Sequence, residues 1–99
     1  WMKVQNYLND ASNLINTTSL GMVGNADLPI PLDKLKKNTL VTDIVYTPLI
    51  TPLLAYASKN GCRTVDGLGM LIYQAIPGFD RWFGVKPNDS QTLRELLIK

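Results

Sequence analysis

Apolar and polar positions divide this chain into short β-type runs and longer helical ones. Trp1, Val4, Tyr7 and Leu8 fall at i, i+3, i+6 and i+7, the spacing of an amphipathic helix or of its last turns. Asn9-Asp10-Ala11-Ser12 ends it in a turn cluster. Residues 13–17 form a short strand centred on Leu14-Ile15 and running into Thr17-Thr18-Ser19. Residues 20–32 hold Gly21, Gly24, Asn25, Pro29 and Pro31, too many breakers for a regular element. Asp33-Lys34-Leu35-Lys36-Lys37 predicts a single surface turn of helix. Residues 39–46 carry apolar side chains on both faces, the pattern of a parallel strand covered by helices on both sides. Thr51-Pro52 reads as a helix start, Thr at the N-cap and Pro at the first helical position. Leu53, Leu54, Ala57 and the body of Tyr56 supply the buried face, and Gly61 ends the helix in the left-handed conformation after Asn60. A β-type run, Cys62 to Val65, follows at once.

The next helical pattern extends from about Gly67 to Phe83. Leu68, Leu71, Ile72, Ala75, Phe79 and Trp82 share one face; Met70, Gln74, Pro77 and Arg81 share the other. Pro77 removes the donor to residue 73, which predicts a kink or a lengthened turn. Residues 84–88 read as a linker, and Asp89 or Ser90 as the cap of a last helix. Its stripe of Leu93, Leu96 and Leu97 needs a partner surface. Strand, loop, strand, helix, strand, helix is the order of an α/β fold with a parallel sheet and right-handed crossovers.

Composition narrows the partners. The chain is 45% hydrophobic, which is ordinary, and 18% charged, which is low for a free-standing domain of 99 residues. Low charge predicts that some surface is covered by something outside this sequence. The net charge of +2 comes with no cluster of either sign, so nothing points to nucleic acid or an anionic membrane. A single cysteine, Cys62, permits no intrachain disulfide and fits a reducing cytoplasm. With no histidine and no cysteine–carboxylate grouping at ligand spacing, a metal site is not expected. No signal peptide or bilayer-length apolar run is visible. Trp1 precedes the first methionine and the opening residues already read as helix, so the chain is expected to be a fragment with its beginning removed.

Candidate chemistry gathers at the ends of the β-type runs. Asp66-Gly67-Leu68-Gly69 joins a strand to a helix. Glycines there allow a tight turn and a close approach, and the first helical turn offers free N–H groups. That is the layout of a ligand site at the carboxyl edge of a parallel sheet. Thr17, Thr18 and Ser19 either donate to a ligand or satisfy nearby backbone. Asp43, inside an apolar strand, is most simply a hydrogen-bonded structural residue. Tyr46 either points its hydroxyl into a crevice or packs half-buried with a wet tip. Met22 is a cofactor contact or an adaptable gap-filler. Met70 and Gln74, one turn apart, either face a polyhydroxylated ligand or form an outer helix face.

Three stretches together carry a family resemblance: Ile15-Asn16-Thr17-Thr18-Ser19-Leu20-Gly21-Met22; Asp43-Ile44-Val45-Tyr46-Thr47-Pro48 with Thr51-Pro52-Leu53-Leu54; and Asp66-Gly67-Leu68-Gly69-Met70 with Gln74. In this order and at these spacings the chain resembles the C-terminal portion of shikimate dehydrogenase. The resemblance implies the second half of a Rossmann-like doubly wound domain over residues 1–83, three parallel strands with flanking helices, then a linker and C-terminal helix over 84–99. It implies part of an oxidoreductase that reduces 3-dehydroshikimate to shikimate with NADPH in the cytoplasm. By the same resemblance Thr18, Ser19, Ile44, Gly67 and Met70 line the NADP cofactor, and Tyr46 and Gln74 contact the substrate. The family's Lys and Asp pair, which handles the alcohol proton, and its glycine-rich dinucleotide loop match nothing here. No catalytic residue is therefore expected in this chain.

Three positions depart from the family's habit: Thr47 where Asn is common, Ile50 where an acidic residue is common, and Tyr73 where His is frequent. They bear on substrate range. A quinate/shikimate dehydrogenase paralogue, with NAD in place of NADP, and a non-catalytic association module of the same fold remain the competing readings. The missing N-terminal part of the same enzyme is the implied partner. Without it the piece is expected to be inactive and to self-associate or be marginally stable.

Overall fold

The structure, a computed structural model, describes residues 1, 3–88 and 91–98. The elements run α1 (Gln5–Leu8), β1 (Asn13–Asn16), β2 (Leu40–Asp43), α2 (Pro52–Lys59), β3 (Arg63–Val65), α3 (Leu68–Phe83) and α4 (Gln91–Leu97). They fall into two compact units, one from Trp1 to Gly67 and one from Leu68 onward.

The first unit is built on a parallel sheet of order β1-β2-β3, in which Asn16 stands opposite Asp43 and Thr42 opposite Val65. Side chains alternate between the two faces of a strand, so Leu14, Asn16, Val41 and Asp43 share one face. α2 packs on that sheet through Leu53, Leu54 and Ala57, which with Val41 and Cys62 form the core. Leu14, Leu28, Leu32 and Leu35 pack against its rim. Three of those four leucines come from the connection between β1 and β2, so an irregular segment does the covering that a crossover helix does elsewhere. This explains why the helical turn expected at residues 33–37 is absent: the segment consists of turns instead, with Leu35 N–H donating to the Leu32 carbonyl (3.0 Å) and Thr39 N–H to that of Lys36 (3.1 Å).

The opposite face of the sheet is less buried than the α2 face. Within this unit Leu40 and Thr42 are half-buried, while Ile15 is 55% and Val65 47% exposed. β2 is also shorter than the expected run of residues 39–46, and Asp43 is the cause. Its Oδ1 accepts the N–H of Val45 at 3.0 Å, which turns the backbone out of the ladder. α1 is a short helix in which Leu8 is buried and Tyr7 exposed. α2 matches expectation at both ends. The Thr51 hydroxyl caps Leu54 N–H (3.3 Å), Pro52 opens the helix, and Gly61 follows at φ +85°.

In the second unit α3 continues as helix through Pro77 and ends before Gly84, at φ +70°, whose N–H donates to the Asp80 carbonyl at 2.8 Å. Leu68 and Ile72 are its buried residues; further along the same stripe Phe79 and Trp82 are exposed, Trp82 by 81%. Those rings, with Leu71, Phe83, Leu93 and Leu97, line an apolar groove of about 560 Å³ between α3 and α4. The Phe79 and Phe83 rings lie 4.6 Å apart at a tilt of 44°. The expected capping residues of α4, Asp89 and Ser90, lie outside the described residues.

Candidate functional site

The sheet register brings the first group of candidate residues together. Because Asn16 pairs with Asp43, the turn after β1, carrying Thr18 and Ser19, leaves the sheet beside the segment after β2, carrying Ile44 and Tyr46. Ile44 N–H extends the ladder by donating to the Asn16 carbonyl (3.1 Å), and Val23 N–H donates to the Thr47 carbonyl (2.9 Å). The loop after β1 is thereby tied to the segment after β2 at two levels.

Beneath these loops lies a buried polar cluster. Asp43 and Thr51 are fully buried and Asn16 nearly so. Asp43 Oδ1 accepts from Asn16 Nδ2 (3.1 Å) and Val45 N–H (3.0 Å), and its Oδ2 accepts from the Thr51 hydroxyl (2.7 Å). Asn16 Nδ2 also donates to the Leu20 carbonyl (2.9 Å). Asn16 Oδ1 accepts from both the N–H (3.1 Å) and the hydroxyl (2.7 Å) of Thr18, and the Thr18 oxygen accepts from Leu20 N–H (3.1 Å). Among the described residues no buried side-chain nitrogen or oxygen lacks a partner. The structural reading of Asp43 holds: a buried carboxylate is tolerable when donors surround it.

Thr18 is half-buried and its hydroxyl proton is committed to Asn16, leaving one lone pair of the oxygen for any ligand. Ser19 is exposed; its carbonyl accepts from Met22 N–H (3.2 Å) and Asn25 Nδ2 (3.1 Å), and its hydroxyl stays open to solvent. Ile44 is half-buried, and Tyr46 is exposed three residues beyond the end of β2. Gly67 is buried because the chain itself approaches it: a Cβ there would fall on the Ile44 carbonyl oxygen, 2.6 Å from its carbon and 2.8 Å from the Val45 oxygen. Gly69 has open space at the same test. In the second unit Met70 and Gln74 are both exposed, one turn apart on α3. Gln74 Nε2 donates to the Leu71 carbonyl of its own helix at 3.1 Å.

Asn16 and Thr51 were not singled out as a pair by sequence reasoning. The pattern that points to them is a short polar side chain at the end of each of three adjacent elements in an apolar setting. Buried polar groups of that kind require one another. Among the described residues no group of three or more Cys, Asp or Glu side chains is arranged to hold a metal ion, and no helix is long and apolar enough to cross a membrane.

Comparison with known proteins agrees with this fold. The model of the shikimate 5'-dehydrogenase C-terminal domain matches residues 67–97. The NADP-dependent shikimate dehydrogenase of Cereibacter sphaeroides is 55% identical over 98 residues, 99% of this chain and 35% of that protein. The quinate dehydrogenase of Corynebacterium glutamicum, solved with NAD, superposes with a TM-score of 0.86 at 32% identity over 95% of this chain and 33% of its own. The shikimate 5-dehydrogenase of Thermus thermophilus, solved with NADP(H) and shikimate, does so with a TM-score of 0.76 at 30% identity, over 85% of this chain and 32% of its own. The chain thus spans about a third of the length of the relatives it matches. An α/β architecture of three parallel strands, one carboxyl edge gathering the residues after β1 and β2, and matches of this extent lead to one conclusion: over nearly its whole length the chain is similar to the C-terminal third of shikimate dehydrogenases.

Proposed function

We propose that this chain forms one wall of the ligand cleft of an oxidoreductase that interconverts 3-dehydroshikimate and shikimate with NADP(H). The observation that carries this reading is the 55% identity to an NADP-dependent shikimate dehydrogenase, sustained over 98 residues. Residues 1–83 are read as the second half of the nucleotide-binding domain. From the first unit, Thr18, Ser19, Ile44 and Gly67 line the cofactor and Tyr46 contacts the substrate; from the second, Met70 lines the cofactor and Gln74 hydrogen-bonds substrate hydroxyls. The exposed Ser19 hydroxyl fits a ligand approaching the first unit, and the exposed Met70 side chain with the open space at Gly69 fits one approaching the second. Thr18 contributes chiefly by shaping the turn, since its proton is already held by Asn16. NADPH, when bound, supplies the hydride. This chain's residues bind and orient; the acid/base pair belongs to the portion that pairs with it.

That pairing also accounts for the surface. The exposed Ile15 and Val65, the unpaired edge of β1 and the apolar groove of α3 and α4 are the surfaces a companion portion would cover, in the cytoplasm. Without it they favour self-association. The higher TM-score to a quinate dehydrogenase solved with NAD supports a second reading, turnover of quinate with NAD. The test is a fused protein in which this chain replaces the matching 35% of the Cereibacter sphaeroides relative. Shikimate oxidation with NADP is expected to exceed quinate oxidation with NAD. The reverse preference supports the second reading, and a folded fusion inactive with both pairs refutes the first and the second.

A further inference from the structure

We infer that Asp43 is a positioning residue, and that Asn16, Asp43 and Thr51 form a brace that fixes where Tyr46 stands relative to the Thr18–Leu20 turn. The inference deepens the function proposed above and rests on it. Its basis is the way residues 44–47 are held. Ile44 N–H donates to the Asn16 carbonyl, Val45 N–H to Asp43 Oδ1, and the Thr47 carbonyl accepts from Val23 N–H. The carbonyls of Ile44 and Val45 sit against Gly67. The backbone is therefore pinned on both sides of Tyr46 while the Tyr46 side chain itself is 46% exposed. A side chain open to solvent on a backbone this tightly fixed is preorganised for contact.

The chemistry of the brace favours positioning over packing. Val41, on the same face of β2, fills its place with an apolar side chain. A buried carboxylate carries a desolvation cost that an apolar residue avoids, and what it returns is direction. Here each oxygen is aimed. One receives Asn16 and Val45, which ties the end of β1 to the residue before Tyr46. The other receives the Thr51 hydroxyl, which ties both to the start of α2. Asn16 passes the constraint on to Thr18 and Leu20.

The fused protein tests this with Thr51→Val, Thr51→Ser and Val41→Ala. Thr51→Val leaves Asp43 Oδ2 without its donor, whereas Thr51→Ser retains the hydroxyl. Val41→Ala weakens the neighbouring core without touching the brace. Thr51→Val is expected to raise KM for shikimate about tenfold, with Thr51→Ser restoring it. Val41→Ala, at a matched loss of Tm, is expected to leave KM within about twofold. Amide exchange provides the second readout. In Thr51→Val the N–H groups of Thr18, Leu20 and Val45 are expected to exchange faster together, which Val41→Ala does not reproduce. Equal KM changes in Thr51→Val and Val41→Ala overturn the inference. So does unchanged exchange at those three amides, even in a fusion that turns nothing over. An inactive fusion with the coupled exchange refutes the proposed function and leaves the brace standing.

Discussion

An alanine Cβ at position 67 would land on the backbone carbonyl of Ile44 and within 2.8 Å of that of Val45, whereas one at position 69 meets nothing within 4 Å. Two glycines, two residues apart, thus answer to different demands. Gly67→Ala is expected to cost about 2 kcal/mol or more, because rigid backbone has to move. Gly69→Ala should be neutral or gain up to about 1 kcal/mol from helix propensity. Denaturant unfolding of the two variants checks the pair. The glycine turn was legible as a turn, but which glycine is held by the chain's own backbone was not. The atoms that approach Gly67 belong to a segment distant in sequence, and no local pattern encodes them. Asp43 shows the opposite case. A carboxylate inside an apolar run has few tolerable fates, so its structural role could be read in advance. Asp43→Ala leaves Val45 and Thr51 without their acceptor and takes one of two from Asn16; a loss of about 3 kcal/mol or more in unfolding free energy is expected.

At the level of elements, local chemistry predicted what local chemistry controls. Thr51, Pro52 and Gly61 mark the ends of α2 where a cap, a first-turn proline and a left-handed glycine belong. Two misses lie where side-chain contacts override pattern. Residues 33–37 have a helix-like mix of Leu and Lys, but Leu35 is recruited to the core beside Leu28 and Leu32, and the segment gives up the helical turn. β2 ends early because the Asp43 side chain competes for the Val45 amide. Pro77, exposed within α3, leaves the helix unbroken although it withholds one donor. Pro77→Ala should therefore stabilise the isolated chain by as much as about 3 kcal/mol, seen as a rise in Tm and in helical circular dichroism. An unchanged Tm would mean that α3 already compensates for the missing bond.

For the whole molecule, the apolar surface marks what the proposed companion portion would cover. One sheet face shows Ile15 and Val65, and the α3–α4 groove shows Trp82, Phe83 and Leu97. The low charge of the composition points the same way. The isolated chain should gain mass with concentration in light scattering and turn over no shikimate with NADP. A monodisperse monomer with a cooperative melt, or measurable turnover, would contradict this. The family was legible because three short motifs keep their order and spacing. The orientation of each side chain was not, since Thr18 and Gln74 both bond their own backbone neighbourhood or helix in ways that spacing does not specify. The claim that this chain supplies the ligand-contacting wall is tested most directly by the KM values of Gln74→Ala in the fused protein. The account predicts a rise of about tenfold for shikimate with KM for NADP unchanged. Equal KM values for shikimate in Gln74→Ala and the unsubstituted fusion would contradict it.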